Sequence, residues 1–202
     1  MQFFRKIQIN KGSNMIQGTK IKLCAVEREH LPILQEWRND PEFRKYYREY
    51  RELTLAHKEK WYESKIINDD SWQFFVVKTI NKDRVIGSCG LTYINWIHRT
   101  AEFSITIGDK KYRNGGYGSD TLRTLIKYGF EDLNLNRIWC EVYSNNGAID
   151  IYRHIGFKDE GILRQAYFSE GKYWDSHLMG MLREEYDKNN SVPLEESTPS
   201  GD

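Results

Sequence analysis

Residues 113–118 read Arg-Asn-Gly-Gly-Tyr-Gly, and a strand-like run at 103–107 precedes them. Glycines lack a Cβ atom, so backbone N–H groups can approach phosphate oxygens, and the positive end of a following helix dipole favours negative charge. The next run is amphipathic at helical spacing, through Leu122, Leu125, Ile126, Phe130 and Leu133. The stretch therefore predicts a strand, a pyrophosphate-binding loop and a helix capped by Ser119 or Asp120.

Two other phosphate-binding loops are excluded by the residues present. A P-loop needs Lys and then Ser or Thr after its last glycine, but Gly118 is followed by Ser119 and Asp120. A Rossmann fingerprint needs Gly-x-Gly-x-x-Gly, which the spacing of Gly115, Gly116 and Gly118 does not supply. Taken alone, the stretch also fits a plain turn between a strand and a helix.

A second motif, residues 145–157, reads Asn-Asn-Gly-Ala-Ile-Asp-Ile-Tyr-Arg-His-Ile-Gly-Phe. The chain thus carries Arg-x-x-Gly-x-Gly before a helix, then a strand, then Asn-x-x-Ala-Ile-x-x-Tyr-x-x-x-Gly-Phe. This order resembles the acetyl-CoA core of the GNAT superfamily of N-acetyltransferases. The likeness continues through residues 160–164, 171–175 and 179–182, a longer pattern similar to the RimJ/RimL-like branch. It covers roughly Met15 to Tyr186.

The resemblance implies an α/β (α+β) fold: a single GNAT-type domain with a mixed, mostly antiparallel sheet flanked by helices. Patterning outside the motifs agrees, because strand-like and helical runs alternate before a final hairpin. It predicts strands at 21–25, 72–78, 85–94, 101–107, 137–143, 157–163 and 173–181, and helices at 27–39, from Thr54, and at 147–155. The expected organisation is an extension at 1–14, the acetyltransferase domain at 15–187 and a disordered tail at 188–202.

The resemblance also implies that acetyl-CoA is the co-substrate, without a metal. The backbone of the strand before the loop would hydrogen-bond the pantetheine arm, and the loop would hold the pyrophosphate. Asn145 would bond the pantetheine or phosphate end, although an asparagine here is also an ordinary helix cap. The residues expected to bind the cofactor are Ile105, Ile107, Arg113, Asn114, Gly115, Gly116, Tyr117, Gly118, Ser119 and Asn145.

Two residues match the family's catalytic positions. Tyr152 corresponds to the tyrosine that donates a proton to the CoA thiolate, and an ordinary phenol, with a pKa of about 10, is protonated at neutral pH. Glu102 corresponds to a glutamate that deprotonates the ammonium directly or through water. The alternatives are a core aromatic for Tyr152 and an uninvolved strand carboxylate for Glu102.

The acceptor side is expected to come from the first helices and the turn at 96–99. Candidate substrate contacts are Trp37, Arg38, Trp61 and Trp96, with His57, His98 and Trp174 in the same wider set. Tryptophans at helical spacing are more often core residues than ligand contacts.

The resemblance implies direct attack of a primary amine on the thioester, the amine being a protein N-terminal α-amine or a small molecule. An amino-sugar nucleotide, an aminoacyl antibiotic or a polyamine are alternatives, as is a catalytically silent CoA-binding regulatory module. Lys and Arg number 30 against 29 Asp and Glu, a formal charge of +1. This balance favours neither nucleic acid nor membrane partners and lowers the polyamine option. A monomer or homodimer is expected.

The cysteines and the N-terminal sequence indicate a cytoplasmic protein. Cys24, Cys89 and Cys140 each lie in a strand-like run without metal-ligand spacing, which favours reduced, mostly buried thiols. The N-terminal residues lack the apolar run of a signal peptide, and no long apolar stretch predicts a membrane span.

Overall fold

The computed structural model describes residues 16–190. The predicted extension at 1–14 and the part of the predicted tail from 191 onward lie outside these residues. Within the described range, the chain is a single α+β domain with one open, eight-stranded sheet, as the sequence predicts.

The sheet has the strand order β1-β2-β3-β4-β5-β6-β8-β7. Its strands are β1 (Ile16–Gln17), β2 (Ile21–Ala25), β3 (Gln73–Thr79), β4 (Val85–Asn95), β5 (Thr100–Ile107), β6 (Arg137–Tyr143), β7 (Lys158–Ser169) and β8 (Lys172–Leu182). Each of the predicted strands is present, with boundaries that differ by a few residues at most except in β7, which runs further.

Six α-helices flank this sheet within residues 16–190. They are α1 (Leu31–Asn39), α2 (Pro41–Arg44), α3 (Leu55–Trp61), α4 (Tyr117–Lys127), α5 (Ala148–Ile155) and α6 (Arg183–Asn190). Thr54 caps α3 as predicted, since its hydroxyl oxygen accepts a hydrogen bond from the His57 backbone. A π-helical turn extends each of α3 and α4.

All neighbouring strands are antiparallel except β5 and β6, which are parallel. Their pairing joins only Thr100 to Arg137, Ala101 to Ile138 and Glu102 to Trp139. Beyond these pairs the strands diverge. The resulting gap, called the wedge here, lies between β5 residues 103–107 and β6 residues 140–143.

Two apolar clusters hold the elements around the wedge. The larger packs α4 and α5 on one face of the sheet, with Leu122, Leu125 and Phe130 almost fully buried. The smaller joins α1 and α3 to the other face through Leu31, Leu34, Tyr62 and Val76 among others. Burial of these side chains, each contributing about 1.5–3 kcal/mol, fixes the helices that border the wedge.

The structure corrects three boundary expectations. Residues 27–39 do not form one helix, because a 3₁₀ turn at Arg28–His30 precedes α1 and leaves Pro32 in the first turn of α1. No helix is predicted directly after residue 39, but α2 begins at Pro41, whose fixed φ suits the first position of a helix. The predicted tail begins too early, because α6 continues through residues 188–190.

None of the helices within residues 16–190 combines the length and the apolar character that crossing a membrane requires. In the same range, His, Cys, Asp and Glu side chains do not group in threes or more as metal ligands.

Gly156, which ends α5, allows a stability test. Its φ is +117°, and an added Cβ would lie 3.0 Å from Asn189 Nδ2 and 3.2 Å from the Met181 methyl carbon. We expect Gly156→Ala to lower the free energy of unfolding, measured with urea, by at least about 1 kcal/mol. Gly147→Ala is the control, because an added Cβ at Gly147 meets nothing within 4 Å. Equal stability of both variants would contradict the strain at Gly156.

Candidate active site

The edge of β5 that faces the wedge offers unpaired backbone groups. β5 pairs with β4 as far as Ile107 opposite Gly87, but it pairs with β6 only as far as Glu102. Between 103 and 107, the backbone on the β6 side therefore has no strand partner among the described residues. Such an edge suits an extended ligand with amide groups, as predicted for Ile105 and Ile107.

The glycine-rich loop leads from β5 into α4 with the backbone that the phosphate prediction requires. Asn114 and Gly116 have positive φ angles of 59° and 79°. Gly116 is the N-cap residue of α4, so no side chain caps this end of the helix. The N–H groups at Tyr117, Gly118 and Ser119 thus begin a helix whose positive end is open to an anion.

The expectation that Ser119 or Asp120 caps this helix is wrong. Both residues lie inside α4. The Asp120 carboxylate turns away and accepts hydrogen bonds from the backbone N–H groups of Thr19, Lys20 and Ile21. It thereby ties the start of β2 to α4, and these hydrogen bonds, which oppose the effect of burial, hold the pKa of Asp120 below its usual range.

Lys20 is a cation beside the loop that the sequence analysis missed. Its ammonium donates to the Gly115 carbonyl at 2.7 Å and lies 5.5 Å from the centre of the Tyr117 ring. Nothing in the local sequence near Lys20 signals this position, because the contact spans 95 residues.

Arg113 reaches toward the end of β5. Its Nε donates to the Ile107 carbonyl at 3.4 Å, and its guanidinium lies 4.1 Å from the centre of the Phe43 ring. Arg113 Nη2 is buried without a hydrogen-bond partner among the described residues. A buried, unpaired donor beside an open helix end fits a bound phosphate group.

Asn145 is an unsatisfied amide at the entrance to α5. Both its Oδ1 and its Nδ2 are buried and unpartnered within the described chain. The helix-capping role belongs to its neighbour, because Asn146 Oδ1 accepts from the Ala148 N–H at 3.0 Å. An orphaned acceptor and donor on one side chain match the amide groups expected of pantetheine.

Tyr152 lies on the core side of the wedge. Its ring packs edge-on against Phe103 with 5.1 Å between the ring centres. Burial, with smaller contributions from Cys140 and Tyr47, raises the pKa of the Tyr152 phenol well above its usual value. The phenol therefore stays protonated at neutral and mildly alkaline pH, as a proton donor must.

Glu102 occupies the point at which β5 and β6 part, on the face opposite Phe103. Arg48, from the segment between α2 and α3, donates to Glu102 Oε1 at 2.7 Å. The same guanidinium nitrogen contacts Glu141 Oε2 at 2.7 Å. Ser176, fully buried on β8, donates to the other oxygen of Glu141 at 2.7 Å.

These contacts follow from strand alternation. Glu102 pairs with Trp139, and Glu141 lies two residues further along β6, so both carboxylates point to one face. Burial by itself would lower the pKa of Arg48, but hydrogen bonds and charge from Glu102 and then Glu141 raise it. The guanidinium is therefore a permanent cation between two acids.

Three tyrosines form the wall beside this acidic pair. Tyr143 on β6 and Tyr167 on β7 are stacked, with ring centres 3.9 Å apart and planes 2° from parallel. The Tyr47 hydroxyl hydrogen-bonds the Thr106 hydroxyl on β5, and Tyr167 donates to the Tyr47 carbonyl at 3.4 Å. The segment between α2 and α3 thus crosses both diverging strands and covers the wedge on this face.

The predicted substrate contacts separate into two groups. Arg38 joins the tyrosine wall, with its guanidinium 3.5 Å from the centre of the Tyr47 ring. Trp37 covers Gly108 at the end of β5, and Trp61 packs edge-on against Phe74 in the smaller cluster. Trp96 is 44% exposed in the turn before β5. The structure thus brings only Arg38 of the four to the tyrosine wall, and substrate contact by all four stays a prediction.

Four other residues of this face were missed: Arg48, Glu141, Tyr143 and Tyr167. For Glu141 and Tyr143 a signal existed, because period-two alternation from Trp139 places all three on one face. Arg48 lies in an irregular segment whose path the sequence does not predict. Burial raises the pKa of Cys89 and Cys140, which are free thiols inside the sheet, so neither is a nucleophile.

Comparison with known proteins identifies the family of the chain. The acetyltransferase (GNAT) domain model matches residues 20–158. A spermidine N(1)-acetyltransferase of Vibrio cholerae is 31% identical over 170 residues, covering 84% of this chain and 96% of the relative. A crystal structure of spermidine N-acetyltransferase from Vibrio cholerae with CoA and spermine has a TM-score of 0.77 at 30% identity, covering 83% of this chain and 98% of that one.

A further structure of the Vibrio cholerae enzyme is described as dodecameric, in an intermediate state. It has a TM-score of 0.75 at 29% identity and covers 86% of this chain and 99% of that one. Neither this relative nor either of the two structures is described as belonging to the RimJ/RimL-like branch.

Asn145 and Asn146 form a matched pair for testing cofactor binding. Asn145→Leu keeps the side-chain shape and removes two buried, unpaired polar atoms. We expect acetyl-CoA affinity to fall about tenfold while the free protein is as stable as before or more so. Asn146→Ala removes the hydrogen bond to the Ala148 N–H and should lower the free energy of unfolding by about 1 kcal/mol without weakening acetyl-CoA binding. Calorimetric binding and urea unfolding check both. The assignment is wrong if Asn145→Leu binds acetyl-CoA normally.

Tyr152→Phe tests the proton donor. It should lower kcat by about 10²- to 10⁴-fold with little change in acetyl-CoA affinity, since only the hydroxyl is lost. The phenol acts when protonated and would lose activity as pH rises through its pKa. Because that pKa is raised, kcat of the unmodified chain should not fall up to about pH 10. A decline between pH 8 and 10 that Tyr152→Phe lacks would contradict this role.

Proposed function

We propose that this chain acetylates a small-molecule primary amine. It belongs to the GNAT acetyltransferase family and is an acetyl-CoA-dependent N-acetyltransferase. The observation that carries this proposal is the segment between α2 and α3, which lies across the wedge through Tyr47 and Arg48. A covered cleft suits a compact acceptor better than a protein N-terminus, which needs an open groove.

The residues around the wedge fit acetyl-CoA. The open edge of β5, the glycine-rich loop with Arg113 and Lys20, and the orphaned amide of Asn145 would hold the pantetheine and phosphate groups. When bound there, acetyl-CoA supplies the thioester carbonyl that the amine attacks. The unpaired polar atoms of Arg113 and Asn145 support these proposed cofactor contacts.

The acidic pair would receive the acceptor's ammonium. Glu102 and Glu141 share a single guanidinium, so the cluster keeps one negative charge for a cation. Glu102, 8% exposed, would take the ammonium proton directly or through water and leave a neutral amine. The amine nitrogen would then bond to the acetyl carbon as the carbon–sulfur bond breaks, and Tyr152 would give its proton to the departing thiolate. The nitrogen would lose its second proton as the amide forms, which restores the Tyr152 phenol through water, while Glu102 releases the first proton to solvent.

A polyamine is the second candidate, favoured by the similarity to the Vibrio cholerae spermidine N(1)-acetyltransferase. The acceptor wall of this chain does not favour it, because Arg38, which has no ion pair among the described residues, would repel further ammonium groups. The resemblance to the RimJ/RimL-like branch would favour a protein N-terminus as the acceptor, but the covered wedge disfavours an acceptor of that size.

We also propose a cytoplasmic location, which the three free cysteines support. The expected monomer or homodimer is not favoured over a larger assembly, because the structure of a similar enzyme is described as dodecameric.

The test is a mass-spectrometric screen of acceptors with acetyl-CoA. The panel contains amino sugars and their phosphates, amino acids, spermidine and short peptides with free N-termini. We expect small amines to be acetylated and peptides to stay unmodified. Efficient acetylation of peptide N-termini would overturn the proposal.

Variants of the acidic pair connect the screen to the site. Glu102→Gln and Glu141→Gln should each reduce kcat/KM for the best acceptor at least about tenfold, because the cluster loses its net negative charge. Glu131→Gln is the control, since Glu131 accepts instead from the Tyr186 hydroxyl at 2.6 Å.

A further inference from the structure

Arg38 is a partly buried cation that lacks an anionic partner among the described residues. Its guanidinium lies 3.5 Å from the centre of the Tyr47 ring, which covers one flat side of the group. Its Nη1 is buried and makes no hydrogen bond within the part of the chain described. A ring face attracts a cation but does not accept its in-plane N–H groups, so these remain available.

The nearest acid does not neutralise Arg38. Glu49 influences Arg38 electrostatically, but Arg51 holds the Glu49 carboxylate through contacts of 2.6 and 2.9 Å. Arg38 has no ion pair within 4.0 Å among residues 16–190, whereas the nearby Arg48 is paired with two acids. Burial lowers the pKa of Arg38, although a guanidinium stays charged at all physiological pH values.

Lys58 on α3 is a second cation near Arg38. Its ammonium lies 4.6 Å from the centre of the Trp61 ring, and it too has no ion pair among the described residues. Burial first, and the positive charge of Arg38 second, lower the pKa of Lys58 to about 8. The charges of Arg38 on α1 and Lys58 on α3 therefore act on one another, and neither side chain has an ion pair among the described residues.

This arrangement is costly in the free protein. Burying a charge without a partner is unfavourable, and two like charges add repulsion. Structural cations normally avoid both costs by pairing, as Arg28 does with Glu59 and Glu63. Unpaired buried charge beside a reaction cleft indicates a ligand that supplies the missing anion.

We infer that Arg38 and Lys58 form an anion subsite of the acceptor pocket, which binds a phosphate or carboxylate group carried by the amine. Arg38 belongs to the tyrosine wall, beside the face that presents Glu102 and Glu141. The acceptor's amine would face the acidic pair while its anionic group meets Arg38. This inference rests on the proposed function, which it narrows to amines that bear an anionic group.

Anion binding can be measured without catalysis. The protein is first saturated with CoA, so that the glycine-rich loop is filled, and is then titrated with inorganic phosphate or with acetate at constant ionic strength. Chemical shifts of the Arg38 and Lys58 side chains report binding. We expect saturable shifts with at least one anion, and the stronger binder distinguishes phosphate from carboxylate recognition.

Variants locate the site. Arg38→Met and Lys58→Met should each lower the affinity for the anion at least tenfold, which corresponds to about 1.4 kcal/mol. Lys60→Met removes a positive charge from an exposed side chain of α3, the helix that carries Lys58, and should bind the anion normally. Having two variants guards against a folding defect in either one.

The outcomes separate this inference from the proposed function. Absence of saturable binding, or equal weakening by Lys60→Met, would overturn the anion subsite even if small amines are acetylated. In the acceptor screen, we expect amino-sugar phosphates or amino acids to exceed spermidine in kcat/KM, and Arg38→Met to remove that preference. If anions bind but only peptides are acetylated, the subsite stands and the proposed function fails.

Discussion

The early separation of β5 from β6 is the constraint on which the rest of the site depends. Three residue pairs hold the strands together, and after Glu102 the backbone of β5 has no strand partner on that side within residues 16–190. A buried strand edge must find other hydrogen-bond partners. The same separation leaves room for Glu102 and Glu141 to point into one space, and it brings Tyr152 to the opposite side through its contact with Phe103.

The charges around the wedge divide by position. On the cofactor side, Lys20 and Arg113 lie beside the positive end of α4, which suits the phosphates of CoA. On the proposed acceptor side, Glu102 and Glu141 share Arg48, and Arg38 lies at the tyrosine wall, so this face would offer places for both an ammonium and an anion. In the formal net charge of +1, the opposite charges of these regions nearly cancel. Net charge therefore constrains partners of the whole surface but not the ligand of a cleft.

Local chemistry was predictable from sequence, and long-range contacts were not. The glycine-rich loop, the glycine that ends α5 and the strands around both motifs are set by neighbouring residues, so their pattern predicted them. Asp120 shows the limit of this reasoning. An acid in the first turn looks like a helix cap, but three N–H groups from a segment 99 to 101 residues away compete successfully for its carboxylate. Arg48 was missed for the same reason, because its partners are 54 and 93 residues away.

Unsatisfied polar atoms are concentrated where ligands are expected. Among the described residues, the buried side chains with such atoms are Arg38, Trp72, Arg113 and Asn145. All but Trp72 border the wedge or its glycine-rich loop. Each unpaired group costs about 1–3 kcal/mol in the free protein, and a ligand that pairs it recovers part of that cost. Ligand binding and fold stability are therefore coupled through these three side chains, since whatever satisfies them binds the folded chain and not the unfolded one.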